Sequence, residues 1–260
     1  MRKQPNNPLY PVLFFLLAAV VYSGCASIEP QQTFQSDKEA LETADRVRDF
    51  NRDIKASKGR GFLTVAKKNR QVQYRIAWAA KSPDQARITF ISSGMPVETF
   101  LFNQNRITLY SHTGRHPLKT YNTDNPSLDR ILSVPVRISD IISVLTGKIP
   151  VKPYDHARFE GSGSKKNTRS ILLNIRSDRR LQRLAIDSDG GIREFSLLEN
   201  PEQPVYRVGF ADLKQFNSSG IFTRMTITNE SGESAVLRIQ DFQENPDMKD
   251  SVFNLTKAGQ

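Results

Sequence analysis

The sequence predicts a mainly β protein with a few short helices: one antiparallel sheet of about 11–12 strands, more than a flat open sheet holds, so it must curl. Three observations carry that reading. Apolar residues recur at every second position through most of the chain, the period of an extended strand with one buried face. The breaks between these runs are short clusters of Asn, Gly, Ser, Pro and Asp, the residues of tight turns. Connections this short join antiparallel neighbours, because a parallel pair needs a crossover of about a dozen residues.

At the amino end, Arg2 and Lys3 precede an unbroken apolar run from Val12 to Tyr22. As a helix that run is about 16 Å long, roughly half the hydrocarbon core of a bilayer, so residues 1–24 read as a signal peptide rather than a spanning segment. Ser23 and Gly24 lead to Cys25, the single cysteine of the chain, which has no internal disulfide partner. This stretch resembles the bacterial lipoprotein signal, with Tyr22 where that signal prefers Leu. The resemblance implies that Cys25 becomes the acylated first residue of a mature protein, carrying palmitate-type chains. Several such chains give stable anchoring. Ala26 after the cysteine implies sorting to the outer membrane. Ordinary cleavage near Ala26, leaving an unanchored periplasmic chain, is the alternative. Residues 25–36 contain Pro30 and several glutamines without periodicity and read as a tether, and one domain is expected over 37–256.

Ser36-Asp37-Lys38-Glu39 has the form of a capping box, with the Ser36 hydroxyl at the cap. Leu41, Ala44, Val47, Phe50 and Ile54 follow at helical spacing, so one amphipathic helix precedes the sheet. Lys58-Gly59-Arg60-Gly61 reads as the break between helix and first strand. Leu63 and Val65 then alternate, followed by Val72, Tyr74, Ile76 and Trp78, by Ile88 and Phe90, by Leu101, and by Ile107 and Leu109. Turns fall at Asn69-Arg70, Ser82-Pro83-Asp84, Ser93-Gly94-Met95-Pro96 and Asn103-Gln104-Asn105. Leu118 to Tyr121 gives a further short strand.

Mid-chain the period changes. Asn125 before Pro126 reads as a helix cap, and Leu128, Ile131 and Leu132 mark one short helix. Ile138, Ile141, Ile142 and Leu145 mark a second, closed by Gly147. Helices this short must lay their apolar stripes on a surface, and the sheet's apolar face is the one available. Residues 148–167 read as loop, with Gly161-Ser162-Gly163-Ser164 at its end. Alternation resumes at Ile171, Leu173 and Ile175, at Tyr206, Val208 and Phe210, at Ile221 to Ile227, and at Ala235 to Ile239. Hairpin signals stand at Asp189-Gly190-Gly191 and Ser231-Gly232.

The net charge of +10, from 37 Lys and Arg against 27 Asp and Glu, is scattered over the polar faces of strands. That favours an anionic surface in general, and with no basic helix or recognised module nucleic acid is not the expected partner. Of the three histidines, His112, His116 and His156, the first two are four apart but on a loop containing Gly114 and Pro117 rather than a helix. No carboxylate pair of a metal motif stands beside them. There is no GxSxG, P-loop or GxGxxG sequence, and Asp187, Asp189 and Glu194 sit about a hairpin as solvated turn residues. Nothing in the chain argues for an enzyme, and no cofactor is expected.

The order of elements, a lipoprotein signal, one helix, a strand meander, two small helices and a second meander, resembles the LolA/LolB group of lipoprotein carriers. Lys81-Ser82-Pro83-Asp84-Gln85-Ala86-Arg87-Ile88 is similar to that family's entrance to the third strand. Asn103 to Tyr110 is similar to its turn-then-strand, with Asn105 available for the left-handed turn position. Leu145-Thr146-Gly147 before Ile149-Pro150 resembles the end of its lid helix. The resemblance implies a half-barrel with an apolar concave face, closed by a helical lid over about residues 126–147. It also implies a monomer that binds acyl chains of lipoproteins or other lipids, faces the periplasm from the outer membrane, and receives cargo from a LolA-like carrier or acts on client lipoproteins. On that basis Tyr74, Ile76, Trp78, Phe90, Leu101, Leu109, Ile141, Leu145, Tyr206 and Phe210 are the expected cavity residues. Met95, in the loop after the third strand, is the expected membrane-delivery residue. Each of these equally reads as plain core or a chance surface residue. A structural scaffold, or a sensor of misassembled lipoprotein, built on the same sheet is the alternative function.

Overall fold

The structure is a computed structural model that describes residues 36–160, 168–176 and 178–255. The expected signal peptide, Cys25, nearly all of the tether and the Gly161–Ser164 stretch lie outside the described residues.

Strand alternation and tight turns generate two meanders. The first runs β1 (Ala56–Lys67), β2 (Arg70–Lys81), β3 (Gln85–Ser92), β4 (Met95–Asn103), β5 (Arg106–Ser111) and β6 (Lys119–Asn122). The second runs β7 (Tyr154–Phe159), β8 (Thr168–Ile175), β9 (Leu181–Asp187), β10 (Ile192–Asn200), β11 (Gln203–Phe216), β12 (Ser219–Thr228) and β13 (Ser234–Glu244). Within each meander every strand pairs antiparallel with the next, and β1 pairs with β13. The result is one open thirteen-stranded sheet with β6 and β7 at its edges. It curls, so that side chains as distant along it as Phe100 on β4 and Met225 on β12 line one cavity.

The helices sit in the curl. α1 (Lys38–Arg48) lies along β7, α2 (Asp129–Leu132) is a single turn, and α3 (Ile138–Leu145) packs against β2. The α1 cap is Asp37, not Ser36: the Asp37 carboxylate accepts from the Glu39 and Ala40 amides. Ser36 is engaged elsewhere, its hydroxyl 3.1 Å from His156 Nδ1 and accepting from the Ala157 amide. The Tyr154 hydroxyl ties the same edge to α1 by donating to Asp45 at 2.5 Å. Burial, then that hydrogen bond, raises the Tyr154 pKa above its ordinary value.

Several sequence expectations are corrected by packing. Lys58-Gly59-Arg60-Gly61 does not divide helix from strand but lies within β1, which begins at Ala56. Gly59 leaves room for the Trp78 indole on the neighbouring strand, and Gly61 lies against the Arg238 carbonyl where β13 slips register. The left-handed residue of the β4–β5 turn is Gln104, with φ 58°, rather than Asn105. Asn125 does not cap the helix that follows it. Its Oδ1 accepts from the Ser139 amide at the start of α3, which ties the two lid helices together. The stretch expected as loop over 148–167 contains β7, whose alternation is broken by a register shift between Tyr154 and His156. After β13 the chain crosses to the convex face, where the 3₁₀ turn Asp250–Phe253 packs Phe253 on Ala79 and Leu101.

Candidate functional site

The lid residues fill the hollow of the sheet. Leu128, Ile131, Leu132, Ile141, Val144 and Leu145 point down onto Leu63, Ile76, Ile88, Phe90, Phe100 and Met225, leaving a cavity of about 50 Å³ whose lining side chains are all apolar. An engineered apolar cavity of about 150 Å³ admits benzene, so the space left here is too small for an acyl chain. α2 is one turn, and α3, though eight residues long, reaches the sheet chiefly at β2. Removing the lid side chains would expose an apolar trough, in which each methylene of a guest contributes about 0.8 kcal/mol.

The lid is held at its ends by polar contacts in an otherwise apolar interior. At the carboxyl end of α3 the Ser57 hydroxyl donates to the Leu145 carbonyl at 2.7 Å and accepts from the Trp78 indole N–H at 3.2 Å. Asn51 donates to the carbonyls of Gly147 and Gly220 at 2.7 and 2.9 Å. Near the amino end stands Asp140, 3% exposed. The Tyr206 hydroxyl donates to its Oδ2 at 2.5 Å, Lys152 Nζ lies 2.8 Å from its Oδ1, and the Ser139 hydroxyl donates to Oδ1 at 3.3 Å. Burial foremost, and the Asp140 charge after it, push the Tyr206 phenol well above its ordinary pKa, so it stays a donor at any neutral pH. Gln182, fully buried, fixes Lys152 by accepting from its amide at 2.6 Å and donating to its carbonyl at 3.1 Å.

The residues expected from sequence are placed as follows. Ile76, Phe90, Ile141 and Leu145 line the cavity. Trp78, Tyr206 and Phe210 are buried in the same core without bordering the void, and Leu109 packs against that core partly exposed. Tyr74 is 38% exposed and meets the Phe90 ring edge-on at 5.4 Å, at the rim of the trough. Leu101 is a correction: it belongs to the opposite face, beneath Phe253. Met95 is the first residue of β4 rather than a loop residue and is 68% exposed. Sequence reasoning missed the polar set of Asp140, Lys152, Gln182 and Ser57. A carboxylate inside Ile138–Leu145, a helix otherwise apolar but for two serines, was the available signal.

The convex face carries a wider groove of about 560 Å³ beside Lys58, Arg60 and Arg87, in which Arg60 is ion-paired to Asp241. Among the described residues no group of three or more His, Cys, Asp or Glu could hold a metal ion, and no helix is long and apolar enough to cross a membrane. His116 is 3.2 Å from Glu98 and His112 is 2.9 Å from the Thr99 hydroxyl, each within the β4–β5 region.

An open, curled antiparallel sheet holding a small helical lid against its apolar face defines the LolA/LolB-like half-barrel fold, and this chain has it. No protein-family model and no curated protein matches the sequence. Solved structures do match. An outer membrane lipoprotein-sorting protein domain from Vibrio parahaemolyticus superposes with a TM-score of 0.60 at 14% identity, over 83% of this chain and 96% of that one. A LolA superfamily protein from Nitrosomonas europaea gives 0.55 at 16% identity, over 85% and 98%. A DUF1329 family protein from Desulfovibrio piger gives 0.60 at 10%, over 84% and 96%. At these identities the likeness is one of fold.

Proposed function

We propose that this protein is a non-catalytic lipid carrier of the bacterial cell envelope, anchored through Cys25 at the outer membrane and facing the periplasm. Its hollow would take acyl chains of lipoproteins or other lipids. The observation that carries the reading is the wholly apolar cavity lying between a curled sheet and helices tied down at their ends. A dry trough under a detachable cover binds hydrocarbon with no reactive group required. The fold neighbour described as a lipoprotein-sorting domain supports the same class of cargo. The small size of the remaining void favours a rival, a scaffold lipoprotein whose filled interior never opens.

Mass spectrometry of ligands carried by the Cys25→Ala protein separates the two. A carrier co-purifies with lipid or acylated peptide in stoichiometric amount. Repeated purification without bound lipid, together with no displacement of a fluorescent fatty-acid probe, would leave the scaffold. Met95, protruding from the β3–β4 hairpin, is proposed to touch the bilayer during delivery. Met95→Glu should then slow transfer of cargo to vesicles about tenfold while leaving the urea unfolding curve in place. Transfer at the normal rate would remove Met95 from the mechanism.

A further inference from the structure

The polar set around Asp140 is unlike the rest of the hollow. A buried carboxylate in an apolar core is costly, and here it is met by two donors from separate elements: the Tyr206 hydroxyl on β11 at 2.5 Å and the Lys152 ammonium, in the segment after α3, at 2.8 Å. The donors belong to the frame. Tyr206 is fully buried in the sheet, and Lys152 is pinned through its backbone to Gln182 on β9. Asp140 belongs to the lid helix. When the lid lifts, the carboxylate leaves and the donors stay.

The charge left beside the Tyr206 hydroxyl is then that of Lys152. The cations whose fields reach Tyr206 are Arg180, neutralised by its own pair with Asp178, and Arg137, which stands at the amino end of α3 and moves with the lid. Arg137 donates to the Asn125 carbonyl, not to a carboxylate. With the lid and its Asp140 gone, the pocket holds an O–H donor and an ammonium. A buried Tyr206 hydroxyl left unpaired is unfavourable, so an incoming group that accepts from it is favoured.

We propose that Asp140 is an internal stand-in for the ligand's headgroup. The hollow takes a single-chain amphiphile with an oxyanion head, a carboxylate or a phosphate, and the head replaces Asp140 between Tyr206 and Lys152 while the chain replaces the lid side chains. This rests on the acyl-binding reading above and adds the chemistry of the head.

The test uses the full-length chain and three probes at monomeric concentrations: palmitate, 1-palmitoyl lysophosphatidate and methyl palmitate, each competing with a fluorescent acyl probe. One or both anionic probes should bind at least about tenfold more tightly than the ester, the scale of a hydrogen bond to a charged group. Which anion leads tells carboxylate from phosphate. In Tyr206→Phe and in Lys152→Gln the ratio of anion to ester affinity should fall towards one. Equal binding of all three probes by the unaltered protein would overturn the headgroup proposal and leave the acyl reading standing. Failure of all three to bind would overturn the acyl reading itself. A preference that survives both substitutions would place the head elsewhere.

Discussion

Gly61→Val should lower the stability of the protein by about 3 kcal/mol or more, read as a large drop in the urea midpoint. A Cβ at residue 61 would stand 2.1 Å from the Arg238 carbonyl oxygen and 3.2 Å from the Ile239 Cα. Both are backbone atoms of the paired strand, so relief requires β1 and β13 to separate where they meet. Gly94→Ala is the useful comparison. It sits at a turn with φ 81° and no atom within 4 Å, so only backbone strain of about 1–2 kcal/mol is expected. Equal, small losses in both variants would mean that the β1–β13 seam yields more easily than its geometry implies.

Asp140→Ala should be the most damaging single change in the lid, costing about 3–5 kcal/mol. It leaves Lys152 without its anion and the fully buried Tyr206 hydroxyl without an acceptor. The triple replacement Asp140→Leu, Tyr206→Phe, Lys152→Met should recover much of that loss, because apolar groups of similar shape remove donors and acceptor together. Calorimetric melting of the single and triple variants checks the pair of expectations. A single variant as stable as the parent would show that the network contributes little to closing the lid.

Strand periodicity made the sheet legible, since Leu63, Ile76, Phe90, Phe210 and Leu237 all turn to the side their spacing assigned. The same rule failed at Phe100-Leu101-Phe102. In that run both faces are covered, one by the lid and the other by Phe253, so alternation cannot say which residue belongs to the hollow. Gly59 and Gly61 read as a break because nothing local distinguishes a glycine that turns the chain from one that makes way for an indole or a carbonyl. Tyr74 was expected inside and stands at the rim, since residues near the far end of β2 extend past the lid: Val72, beyond it, is 46% exposed. The polar latch was hidden for a different reason. Asp140 and Tyr206 are 66 residues apart, and the fold of the sheet under the lid makes them neighbours, while Lys152 reaches back from the segment after α3.

The pairing of β1 with β13 has a kinetic consequence. The neighbours within each meander are close along the chain, but Gly61 meets Ile239 and Leu63 meets Leu237 across nearly the whole of it. β1, next to the centre of the finished sheet, therefore waits for its partner β13 until synthesis is almost over, and the loop closed by that encounter is among the longest in the molecule. Until then each half presents an unsatisfied β edge beside an uncovered greasy surface, the state in which chains of this kind associate with one another.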